Sequence, residues 1–89
     1  MHQPQLSLKQ YLKAFNIITS KGDKSKHRYC LDNVDAWHDF DGYTCFLGYK
    51  DLTLTLLFHG RYAFDYQHEE TLTAFLALLT EMLKDNRSD

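Results

Sequence analysis

The chain has 89 residues, 44% hydrophobic and 15% aromatic, with a formal net charge of −2. This length suits one domain and excludes a second, and the apolar content excludes a disordered profile. The slight acidity argues against a general polyanion binder, and no apolar run approaches the roughly 18 residues a membrane span needs.

Residues 1–6 are expected to form a flexible tail, without the apolar core of a secretory leader. Ser7 then opens a helix. It is a good N-cap, Gln10 completes a capping-box pattern, and Leu6 and Tyr11 occupy hydrophobic-staple positions. Leu8, Tyr11, Leu12, Phe15 and Ile18 make an apolar stripe at helical spacing. Lys21 suits the C-terminal dipole and Gly22 the C′ position.

A polar stretch leads to a short strand around 27–31. The acidic segment 32–41 reads as an ordered connection with a brief extended piece, pinned to the core by Val34, Trp37 and Phe40. Asp41-Gly42 is a turn signal. Strands are predicted at 43–47, 52–57 and 61–66 from apolar residues recurring at every second position.

Burial decides the register, because a slip of one residue moves every side chain to the other face. A three-residue loop, Phe58-His59-Gly60, pairs Leu56 with Tyr62 and Leu54 with Phe64, with Gly60 left-handed in a bulged turn. A four-residue loop from Gly48 to Asp51 would pair Leu47 with Leu52 and Cys45 with Leu54. The inner face then carries Tyr43, Cys45, Leu47, Leu52, Leu54, Leu56, Tyr62, Phe64 and Tyr66. The outer face carries Thr44, Phe46, Thr53, Thr55, Leu57, Ala63 and Asp65.

A last helix spans about 68–84, with Glu69 and Glu70 at its positive end and a core face of Leu72, Phe75, Leu76, Leu79, Met82 and Leu83. Residues 86–89 are expected to fray. The predicted fold is an α+β two-layer sandwich over 7–85. It comprises an N-terminal helix, an antiparallel meander of three to four strands and a C-terminal helix, with both helices on one sheet face.

Chemistry-bearing motifs are sparse. Asp32, Asp35, Asp39 and Asp41 could attract a hard cation. An EF-hand is excluded, because Trp37 would stand at its first ligand position and Gly48 where a glutamate is required. The aspartates read instead as turn caps and solvating groups. Cys30, His38, Cys45 and His59 lack the spacing of a structural zinc site and read as two buried, reduced thiols and ordinary imidazoles. Ser7 is a helix cap, Ser20 and Ser25 lie near a turn and Ser88 lies in the tail, and no glycine-rich phosphate loop occurs. The expectation is therefore a non-enzyme with no catalytic residue, metal or cofactor. A small metal-dependent enzyme is the least favoured alternative.

Two surfaces remain as candidates. On the outer sheet face, Phe46 and Leu57 lie among Thr53 and Thr55, with Trp37 nearby. A patch of this kind marks a partner or self-association contact, although one sheet face is often simply solvated. Whether Trp37 is buried or exposed decides whether segment 32–42 is core or binding surface. The basic run of Lys21, Lys24, Lys26 and Arg28 could touch phosphate and supplies the nucleic-acid alternative. The order α-β-β-β-α also invites comparison with double-stranded-RNA-binding domains, but Glu69 and Glu70 stand where those carry lysines.

The stretch WHDFDGYTCFLGYKDLTLTLLFHGRYAFDY, 37–66, resembles a family of small gammaproteobacterial proteins of unknown function. The likeness lies in its Trp…Asp-Gly-Tyr segment and its Thr-Leu-Thr-Leu-Leu-Phe-His-Gly-Arg-Tyr hairpin. The resemblance implies a bacterial, cytoplasmic protein and supplies no catalytic residues. The function expected overall is a non-catalytic protein-interaction or regulatory module.

Overall fold

The computed structural model describes residues 6–40, 42–57 and 60–85. Helix α1 (Leu8–Lys21) is followed by strands β1 (Asp23–Ser25), β2 (Arg28–Leu31), β3 (Val34–His38), β4 (Cys45–Tyr49), β5 (Leu52–Leu57) and β6 (Arg61–Asp65). Helix α2 (Glu69–Asp85) closes the chain. The strands form one antiparallel sheet in sequence order, and both helices join its inner face in a single core. The α+β class and the helix–sheet–helix order agree with expectation, but the sheet has six strands, not three to four.

Helix α1 starts as its sequence dictates. The Ser7 hydroxyl accepts from the Gln10 amide at 3.3 Å, and the Gln10 side chain accepts from the Ser7 amide at 2.8 Å. Leu6 and Tyr11 are both buried, so Leu6 belongs to the core although the tail was expected to include it. The buried face is Tyr11, Ala14, Ile17 and Ile18. Leu12, placed on the stripe by spacing, is 41% exposed.

Gly22 ends the helix for a different reason from the one expected. Its φ of −79° is extended, not left-handed. A side chain there would put Cβ 2.5 Å from the Ile18 carbonyl oxygen and 2.7 Å from that of Cys30. Glycine allows the helix end to press its backbone against β2.

Strand β3 corrects the expectation for segment 32–41. Asp32 and Asn33 both take positive φ (53° and 68°) and form a two-residue hairpin between β2 and β3. Residues with short polar side chains tolerate this conformation, and the resulting twist suits antiparallel strands. Val34 and Ala36 point inward and are fully buried, while Asp35 and Trp37 face outward. Phe40, expected to pin the segment, is fully exposed. The β1–β2 hairpin turns at Lys26-His27, with Lys26 at φ 56°.

The β5–β6 register is the expected one: Leu56 faces Tyr62, Leu54 faces Phe64, and Gly60 has φ +77°. Phe58 and His59, in the same predicted loop, lie outside the described residues, as do Asp41 and the expected tails 1–5 and 86–89. The β4–β5 register differs. A two-residue turn, Lys50-Asp51, pairs Leu47 with Leu54 and Cys45 with Leu56. The shift is two residues along the strand, so every side chain keeps its predicted face. Tyr43 falls outside the strand and is 66% exposed.

The core joins Val34, Ala36, Leu47, Leu52, Leu54 and Leu56 of the sheet to Ala14 and Ile18 of α1 and Phe75, Leu79 and Met82 of α2. An aromatic chain ties the layers together. The Tyr11 ring lies 5.1 Å from Tyr62 and 5.8 Å from Phe64, edge to face, and Phe64 lies 6.3 Å from Phe75. Asp51 fixes the start of α2. Its carboxylate accepts from the amides of Gln67 (2.7 Å) and His68 (3.0 Å) and from the Thr71 hydroxyl (2.6 Å). These bonds hold its pKa down to about 2.

Candidate interaction face

With both helices on one side, the other face of the sheet carries no covering element among the described residues. The ladder brings its residues into rows. Trp37, Phe46, Thr55 and Ala63 are successive cross-strand neighbours on β3 to β6, and Asp35, Gly48, Thr53 and Asp65 form the adjoining row. Of the sequence-predicted outer-face residues, Phe46, Thr53, Thr55, Leu57, Ala63 and Asp65 lie on this surface, Leu57 at 41% exposure, while Thr44 precedes β4 and falls outside the strand.

Trp37 is half-buried against the sheet itself and takes no part in the core. Its indole stacks on the Phe46 ring, with centroids 5.3 Å apart and planes 14° from parallel. A Cβ on Gly48 would come within 2.9 Å of the indole, so the glycine leaves the ring room over β4. The Arg28 guanidinium sits over the indole, 3.9 Å from its centroid, and its Nη1 is 3.6 Å from the Asp35 carboxylate. A planar cation over an indole is an attractive arrangement. Arg28, Trp37 and Phe46, on three neighbouring strands, thus form one cation–aromatic cluster in mid-sheet.

Sequence reasoning missed Arg28, Asp35 and Gly48 as parts of this patch. The signal available was the alternation of Arg-Tyr-Cys-Leu in β2, which sends Arg28 and Cys30 to the same face as Asp35.

The basic run does not form one surface. Lys21 ends α1. Lys24 pairs across from Tyr29 on the helix side, with its ammonium 5.8 Å from that ring. Lys26 occupies the turn, and Arg28 is engaged on the opposite face. A strand alternates its side chains, so a charge run along a hairpin divides between faces.

The two cysteines are also separated. Cys30 is exposed on the outer face, contrary to the expected burial, while Cys45 is half-buried opposite Leu56 on the inner face. Desolvation raises both thiol pKa values. A hydrogen bond to Asp35 adds to the effect at Cys30, and the charge of Asp39 adds to it at Cys45. Neither environment favours a thiolate nucleophile. Asp39 caps its turn, accepting from the amides of Gly42 (3.0 Å) and Thr44 (3.3 Å). Among the described residues, no three acidic, histidine or cysteine side chains converge as a metal site. No helix among them is long and apolar enough to cross a membrane.

The geometry defines a two-layer α+β domain with one helix-covered and one open sheet face. The family model for Protein of unknown function (DUF3081) matches residues 6–89, and the chain belongs to that family. No curated protein and no solved structure matches the chain.

Proposed function

We propose that this protein acts in the cytoplasm by binding rather than catalysis, as a protein-interaction or regulatory module. Its contact surface is the open sheet face of Trp37, Phe46, Thr53, Thr55 and Leu57. The observation that carries this reading is the Arg28–Trp37–Phe46 cluster, which stands on the face no helix covers. Tryptophan and arginine are enriched at the energetic centres of protein interfaces, and rigid aromatic surface loses little entropy on binding. The threonines and the Arg28–Asp35 pair supply a polar surround.

The test is affinity capture from host lysate, with and without nuclease, using the wild type beside Leu57→Asp. The expected outcome is one protein recovered by the wild type, insensitive to nuclease and lost with the variant. Equal recovery by both proteins removes Leu57 and its face from the contact. Recovery abolished by nuclease moves the function to nucleic acid.

A further inference from the structure

The two edges of the sheet are built differently. Exposed edges are normally blunted by brevity, charge, proline or a bulge, because unpaired backbone groups invite another strand. Edge strand β1 follows that rule: Asp23–Ser25 has three residues, two of them charged and all exposed. Edge strand β6 is longer and carries its charges only at its two ends, Arg61 and Asp65. Arg61–Asp65 runs five residues in unbroken register with β5, contains no proline or lysine, and leaves Tyr62 41% exposed.

The sequence of β6, Arg-Tyr-Ala-Phe-Asp, is complementary to itself when reversed. An antiparallel copy centred on Ala63 sets Arg61 opposite Asp65 and Tyr62 opposite Phe64, each pair occurring twice. The charged pairs fall on the outer face and the aromatic pairs on the inner face, continuing the Tyr11–Tyr62–Phe64 cluster. Within one chain Arg61 and Asp65 stand four residues apart on a strand, about 13 Å, too far to pair. Neither makes an ion pair among the described residues. Opposite charges and aromatic pairs facing each other across strands stabilise a ladder.

We propose that β6 is a self-association edge: two copies pair their β6 strands antiparallel about a two-fold axis at Ala63, joining two sheets into one. The axis runs perpendicular to the sheet, so the helices of both copies stay on one side. The open faces join into a continuous surface that carries the aromatic stack twice. This contact is independent of the outer-face reading, because the edge and the face are different surfaces.

Charge exchange tests it. Sedimentation and light scattering at submillimolar concentration are expected to show a dimer for the wild type. Arg61→Asp alone and Asp65→Arg alone each place like charges opposite one another twice, and dimerisation should weaken roughly tenfold or more. An equimolar mixture of the two variants should form a heterodimer, because each strand then meets its complement. The double exchange, Arg61→Asp with Asp65→Arg, should restore the homodimer, and circular dichroism checks the fold of each protein. A monomeric wild type, single variants as dimeric as the wild type, or a mixture that forms no heterodimer overturns the proposal. A dimer abolished by Leu57→Asp but unaffected by the charge exchanges places the contact on the sheet face and also overturns it.

Discussion

Replacing Gly22 with alanine sets two effects of opposite sign against each other. Where an alanine fits, Gly→Ala stabilises a protein by about 0.4–1 kcal/mol, because it reduces the freedom of the unfolded chain. The φ of −79° at Gly22 is compatible with alanine, so conformation alone predicts a gain. The surroundings predict a loss. The new Cβ would lie 2.5 Å from the Ile18 oxygen, 2.7 Å from the Cys30 oxygen and 3.0 Å from the Cys30 carbonyl carbon. All three are backbone atoms of the helix end and a paired strand, and none can swing aside as a side chain would. Relief of the Cys30 contacts requires α1 to move away from β2, opening the core at Ile18 and Val34, both fully buried, and relief of the Ile18 contact requires the last turn of α1 to open and loosen the Gly22–Ile18 hydrogen bond.

Overpacking of this kind costs about 1–3 kcal/mol. After the entropic gain is subtracted, Gly22→Ala should be destabilised by about 1–2 kcal/mol. For a domain of this size that lowers Tm by roughly 5–15 °C. Urea titration and thermal melts followed by circular dichroism measure it. Gly42 provides the contrast: it has open space around it but φ +81°, so the penalty there comes from the backbone alone. Asparagine, which tolerates positive φ, should be milder than alanine at Gly42 and at least as damaging as alanine at Gly22. A Gly22→Ala protein as stable as the wild type, or more so, would refute the steric argument.

Arg28→Ala should lower stability by only about 0.5–1 kcal/mol, since its cation–π contact and ion pair are both partly solvated. The clearer readout is fluorescence: Trp37 is the single tryptophan, and removing the guanidinium from its face should change its emission without unfolding the chain. Asp51 makes acid stability informative. Its folded-state pKa of about 2 lies below the ordinary 3.8, so its stabilising effect is complete above the ordinary value and is lost as pH falls through about 2. Asp51→Asn should flatten stability across that window. An unchanged pH profile would show that the cap on α2 does not depend on the carboxylate.

Much of the architecture was legible because it rests on local rules. The Ser7–Gln10 capping box is determined within one helical turn, and α1 begins where it indicates. The period-two runs in β5 and β6 determine their faces, and the burial of three leucines selects the three-residue connection over a two-residue one. The β4–β5 connection illustrates the limit of that rule. Registers that differ by two residues bury the same side chains, so periodicity cannot choose between them. In the observed register the tight turn sets Asp51 where its carboxylate reaches the start of α2, a contact between distant residues that periodicity does not encode.

The open face follows the same division. Sequence alternation placed Phe46, Thr53, Thr55 and Leu57 together, because a strand sends alternate side chains to one side. It set Trp37 near them but left its burial open, since β3 looks too acidic for a central strand until Asp35 is seen on the solvated face beside Arg28. Nor could it join Arg28 to Trp37, because β2 and β3 are brought side by side only when Asp32 and Asn33 turn the chain through left-handed conformations. The helices, the β5–β6 hairpin and the sidedness of β4 to β6 follow from local periodicity and capping and could be read along the chain. The number of strands, the division of the basic run between two faces and the aromatic–cation cluster emerge only in the folded molecule. Those depend on which side chains non-local strand pairing brings together.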